Sequence, residues 1–113
     1  MATQPATLNI RPQRRADYVL DVVFNDSNGT PLNLTGWSAI AQVWDKDRTV
    51  QHGSFLVNFT DAVNGSVRLQ LGWATTAVLP DESFYDVMLI DGSGLREFYL
   101  EGVVRPSNGY SSP

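Results

Sequence analysis

The sequence predicts an all-β domain, an antiparallel sandwich, on three observations. Short segments of alternating apolar and polar residues recur at intervals of roughly ten residues, the period of two that marks half-buried strands. Clusters of Gly, Pro, Asn, Asp and Ser separate them, as turn chemistry requires. No segment offers the long helical crossovers that a parallel α/β sheet needs.

Residues 7–10 read as a short strand that ends before Pro12, which suits a sheet edge because proline cannot donate to a ladder. Residues 18–24 put Tyr18, Leu20, Val22 and Phe24 on one inward face. Asp26, Ser27, Asn28 and Gly29 form a loop of residues that tolerate positive φ. The run Gly29, Thr30, Pro31, Leu32, Asn33, Leu34, Thr35, Gly36, Trp37 then links a turn, a brief alternation and a second turn, delivering an aromatic residue to the next strand. Within it, residues 32–34 are either a brief strand or part of the loop.

Residues 38–44 alternate Ala39, Ala41 and Val43 against Ile40 and Trp44, so both faces of that strand are expected to be partly covered. Asp45, Lys46, Asp47 and Arg48 make a charged loop, after which residues 53–59 send Phe55, Val57 and Phe59 inward. Asn64 and Gly65 suit a tight hairpin into residues 66–71, where Val67, Leu69 and Leu71 alternate. Residues 73–79 allow one helical turn, which Pro80 ends. Residues 84–90 and 96–104 are two strands joined by the glycine-rich connection Asp91, Gly92, Ser93, Gly94.

The organisation expected is an N-terminal arm at 1–5, one sandwich domain at 6–105 and a flexible C-terminal tail at 106–113. About seven strands with this spacing fit an immunoglobulin-like β-sandwich best. The disulfide of antibody domains is absent, so Trp37 or Trp44 would pack against aliphatic residues instead. A jelly roll and an open barrel are the alternatives.

A chain of 113 residues with 42% hydrophobic residues and 18% charged is globular and one domain in size. With no cysteine, neither a disulfide framework nor a thiolate metal site nor a thiol nucleophile can form. The start lacks the pattern of a signal peptide and no run reaches membrane-spanning length, so a soluble protein made in a cytoplasm is expected. A net charge of −4 offers no general attraction to nucleic acid, whose binding is dominated by phosphate neutralisation.

Nothing in the sequence spells catalysis or a cofactor. Asp91 to Gly94 has the opening of a calcium loop, but Gly102 stands where an EF-hand needs its last acidic ligand, which leaves a hairpin turn. Asp45 and Asp47 alternate with Lys46 and Arg48 as a solvated charge patch, and His52, the single histidine, cannot assemble a zinc site. Ser54, His52 and Asp61 lack the context of a hydrolase triad, and Glu82, Asp86, Glu97 and Glu101 would need a cleft to act as glycosidase carboxylates. The Asn-x-Ser/Thr sequons at Asn25, Asn28, Asn33, Asn58 and Asn64 follow from the many turns. Two features suggest contacts with neighbours. Arg11, Arg14 and Arg15 cluster beside the N-terminal arm, and arginine pairs well with carboxylates. Tyr110 is the one large side chain of the tail, and tyrosine is common at interfaces.

Taken together, the run 29–37, the strand to Trp44, the segment Asn64, Gly65, Ser66, Val67, Arg68, Leu69, the step Ala77 to Pro80, and Phe84, Tyr85, Asp86, Val87 with Gly92 to Gly94 form one pattern. It resembles the small immunoglobulin-like domains of tailed-phage virions, in particular the N-terminal domain of phage baseplate upper proteins. The resemblance spans roughly residues 17–104 and rests on turn and strand residues. It implies a virion building block that attaches to other structural proteins in a symmetric assembly, with no catalytic residue to carry over.

The expected function is therefore a non-enzymatic adaptor of the tail, baseplate or fibre-attachment region, made in the host cytoplasm and resident in the virion. A capsid cement or decoration protein is the first alternative. A carbohydrate-binding module, with Trp37, Trp44 and Trp73 as an exposed platform, is the second.

Overall fold

The computed structural model describes residues 6–108. Eight strands build two sheets. They are β1 (Ala6–Thr7), β2 (Tyr18–Val23), β3 (Ser38–Trp44), β4 (Gln51–Ser54), β5 (Leu56–Asp61), β6 (Ser66–Leu71), β7 (Ser83–Ile90) and β8 (Arg96–Val104). A 3-10 turn at Ala62–Asn64 leads into β6, and a short helix, α1 (Trp73–Ala77), follows it. The larger sheet has the order β1-β8-β7-β3-β4 and the smaller one β2-β6-β5. All neighbours are antiparallel except β1 and β8, which run parallel.

The core lies between the sheets and draws on both: Ala41, Val43, Tyr85, Val87, Leu89, Leu100 and Val104 from the larger, Val67, Leu69 and Leu71 from the smaller. The faces expected from alternation are largely those found. Val67, Leu69, Leu71 and Phe24 are buried, and Tyr18, Leu20 and Val22 pack against the core. Trp37 packs there too, its ring 6.4 Å from that of Tyr99 in an edge-on arrangement. The segment 32–34 is loop: Leu32 N–H donates to Phe24 O and Leu34 N–H to Ala62 O, and Leu34, 1% exposed, plugs the core.

The stretch 53–59, read from the sequence as one strand, is two. Gly53 and Ser54 end β4 beside β3, whereas Val57 and Phe59 belong to β5 beside β6. Phe55 stands at the crossing, 6% exposed, with its N–H bonded to Ala41 O at 2.8 Å and its ring 5.7 Å from that of Tyr85. Alternation continues through a change of sheet because both sheets share one interior, so the period of two conceals the switch.

The segment leading out of β1 continues alongside β8. Leu8 N–H donates to Glu101 O and Ile10 N–H to Val103 O, and Arg105 N–H donates back to Ile10 O. Beyond the sandwich boundary expected at Arg105, Ser107 N–H bonds Pro12 O and its carbonyl accepts from Arg14 N–H, both at 2.9 Å. The arm 1–5 and Tyr110 lie outside the described residues. Next along the chain, Asp17 Oδ1 accepts the N–H of Trp73 at 2.8 Å, and the fully buried Thr76 hydroxyl donates to Ala16 O, which fixes α1 against the chain entering β2.

Candidate docking face

β7 is the middle strand of the larger sheet, and its alternation decides what each side of that sheet presents. Ser83, Tyr85, Val87 and Leu89 point to the core, which turns Phe84, Asp86, Met88 and Ile90 to the outer face. In register across β3, Phe84 stands opposite Trp44, Asp86 opposite Gln42 and Met88 opposite Ile40. Across β8 the same residues oppose Val103, Glu101 and Phe98.

A β-bulge sets this arrangement. Val87 pairs with Leu100 but Met88 with Phe98, so Tyr99 is the extra residue of the bulged strand. Its ring goes inward, 6.0 Å from Phe24. The inserted residue resets the alternation, so that Phe98 and Glu101, three apart, both face outward.

The result is a concavity of about 650 Å³ on the outer face, walled by Ile40, Trp44, Phe84, Met88 and Phe98 with Gln42 and Asp86 in its floor and Arg48, Lys46 and Arg96 among its lining. Phe98 is 47% exposed and Ile40 39%. Contiguous apolar surface of this kind, rimmed by charge, marks interaction sites in soluble proteins.

Trp44 is braced rather than loose. Its indole N–H donates to Gln42 Oε1 at 2.9 Å, and the Arg48 guanidinium stands over its ring at 5.2 Å. The loop that presents Arg48 is held by Asp45, whose carboxylate accepts from the N–H groups of Thr49 and Val50 and from the Thr49 hydroxyl. The Thr49 hydroxyl is the main reason the Asp45 carboxyl lies below the ordinary carboxylate range. Asp86 behaves oppositely. Burial pushes its carboxyl up, Arg48 opposes that shift, and the Glu101 charge adds to it. No hydrogen bond or ion pair reaches the carboxylate of Asp86 or of Glu101 among the described residues.

The arginines singled out by sequence go to different tasks. Arg14 is a clasp within the chain: its guanidinium donates to Leu79 O at 3.1 Å, to Asp81 at 2.9 Å and to Asn108 Oδ1. Arg11 is exposed beside a smaller concavity of about 190 Å³ that Asn9, Ile10, Val103 and Arg105 also line. Arg15 is half-buried with φ of 67°. Neither Trp37 nor Trp73 joins Trp44 on the outer face. Asp91 closes the β7–β8 hairpin by accepting from the N–H groups of Ser93 and Leu95. Among the described residues no three His, Asp or Glu side chains gather to hold a metal ion, and no helix is long and apolar enough to cross a membrane.

Sequence reasoning did not single out the outer face. Its signal was present in residues 84–90, where apolar side chains occupy both parities: Tyr85, Val87 and Leu89 on one, Phe84, Met88 and Ile90 on the other. Such a strand is either covered twice or leaves one apolar face to be covered by something else. No protein-family model matches the chain, and no curated protein shows a significant match to it.

Proposed function

We propose that the chain is a non-enzymatic, immunoglobulin-like structural module of a tailed-phage virion, an adaptor of the tail, baseplate or fibre-attachment region that docks on other structural proteins through the outer face of its larger sheet. The observation that carries the docking role is that face: concave, aromatic and apolar at its walls, and not covered by the described residues. The immunoglobulin-like reading is supported by the strand order, since β2-β6-β5 corresponds to B-E-D and β8-β7-β3-β4 to G-F-C-C′ of that fold. The virion setting is supported by the sequence resemblance over residues 17–104.

Quantitative densitometry of purified virions tests this reading, using the native chain and an Ile40→Glu/Phe98→Glu variant. The adaptor is expected in a small multiple of three or six copies per particle, as closed rings require. The variant, still folded, is expected to be missing from particles. A native chain absent from particles overturns the reading, and on the order of hundreds of copies points to capsid decoration instead.

A further inference from the structure

We propose that the partner docking on the outer face of the larger sheet is a protein that presents a cationic side chain, Lys or Arg, to Asp86 and Glu101. The inference rests on the docking reading above and adds the chemistry of the occupant.

Asp86, on the central strand, stands directly opposite Glu101 of β8. Like charges opposite one another on one face of an antiparallel pair repel. No ion pair within the chain takes up either carboxylate: the three ion pairs among the described residues use Asp81, Asp21 and Glu82. Arg48 acts on Asp86 electrostatically but forms no ion pair with it, being placed over Trp44.

The rows on either side of the acidic pair are apolar. Phe84 and Trp44 flank it toward one end of the strands, Met88, Ile40 and Phe98 toward the other. A partner that covered those rows with apolar groups alone would strip water from two like charges and leave both carboxylates without hydrogen-bond or ion-pair partners, an unfavourable outcome. A partner with a cation at that position replaces the lost water with charge-assisted hydrogen bonds.

A two-fold contact with another copy whose axis passed through the acidic pair would gather four carboxylates.

The test is titration of the isotope-labelled full chain, followed by amide resonances, with blocked pentapeptides acetyl-Thr-Leu-Xaa-Leu-Thr-amide in which Xaa is Arg, Lys, Gln or Glu. The Arg and Lys peptides are expected to shift the resonances of Gln42, Trp44, Asp86 and Glu101 with about tenfold higher affinity than the Gln peptide. An Asp86→Asn/Glu101→Gln variant should keep a folded spectrum and lose that preference. Equal affinity for all four peptides, or no response to any, overturns the inference. So does a response to a neutral oligosaccharide alone, or concentration-dependent dimerisation through these residues. In each of those cases, loss of the Ile40→Glu/Phe98→Glu variant from particles would still uphold the docking role, so the two readings fail separately.

Discussion

The hydroxyl of Tyr85 donates a 2.6 Å hydrogen bond to the carbonyl oxygen of Leu8, tying the centre of the larger sheet to its N-terminal edge across 77 positions of sequence. The bond exists because the edge segment departs from ladder geometry there. The Leu8 carbonyl turns inward over Gly102, and the Val103 N–H is satisfied instead by the Asn9 side chain at 3.0 Å. Tyr85 is 3% exposed, so the donor side of the bond is buried, whereas Leu8 lies at the exposed edge.

Tyr85→Phe should therefore leave the Leu8 carbonyl without this donor and destabilise the fold by about 0.5–1.5 kcal/mol. Urea unfolding measures this, and a midpoint equal to that of the parent chain would contradict it. Burial, with a smaller contribution from Tyr18, also raises the ionisation of Tyr85 above its ordinary value of 10.0. Raised folded ionisation means stability that is complete below that value and is lost as pH climbs toward the folded one. The parent chain should lose stability above about pH 10, and Tyr85→Phe should lose less over the same range.

Gly102→Ala attacks the same junction from the other side. A Cβ at this position would lie 2.0 Å from the Leu8 oxygen and 3.0 Å from the Tyr85 ring. The edge segment must move away, and the Tyr85 bond with it, so a loss of roughly 2–3 kcal/mol is expected. Amide hydrogen exchange should show the added opening at Leu8 and Ile10, whose N–H groups bond to β8, before the interior of β7 responds.

Asp86→Asn should stabilise the isolated chain at neutral pH. Burial raises the Asp86 carboxyl above its ordinary 3.8, so its ionised form is the one the fold disfavours. The sign follows: stability is greatest below the ordinary value and is lost as pH rises through the folded one. Thermal unfolding at pH 7 is expected to occur at higher temperature in the variant, with the advantage shrinking as the solution is taken below about pH 4. An advantage that persists unchanged at pH 3 would rule out relief of an unfavourable charge as its cause.

How much of this was legible differs by feature. Alternation located β2, β3, β6, β7 and β8 because one buried face imposes a period of two on the sequence. It concealed the crossing at Phe55, since the inward parity persists from β4 into β5. It also concealed the bulge at Tyr99, which changes parity without any Gly or Pro to mark it. The cluster of Arg11, Arg14 and Arg15 reads as one feature along the chain. Backbone direction separates its members, and only the fold reveals that Arg14 meets Leu79, Asp81 and Asn108. The outer face was half-legible: Ile40 and Trp44 signalled a second covered side of β3, but not that Phe84, Met88 and Phe98 would join them.

Two buried hydroxyls should respond in opposite directions to removal. Thr76 and Ser83 are both fully inaccessible. The Thr76 hydroxyl donates to Ala16 O at 2.8 Å, whereas the Ser83 hydroxyl has no hydrogen-bond partner among the described residues. Thr76→Val keeps the shape and deletes the donor, leaving the Ala16 carbonyl without it, for an expected loss of about 1–2 kcal/mol. Ser83→Ala removes a polar atom that gains nothing from its surroundings, so the desolvation cost disappears with it and stability should rise by up to about 1 kcal/mol. Both variants can be measured in one series of denaturant curves. A loss at Ser83 as large as that at Thr76 would mean that the Ser83 hydroxyl is hydrogen-bonded in solution, most simply to an internal water.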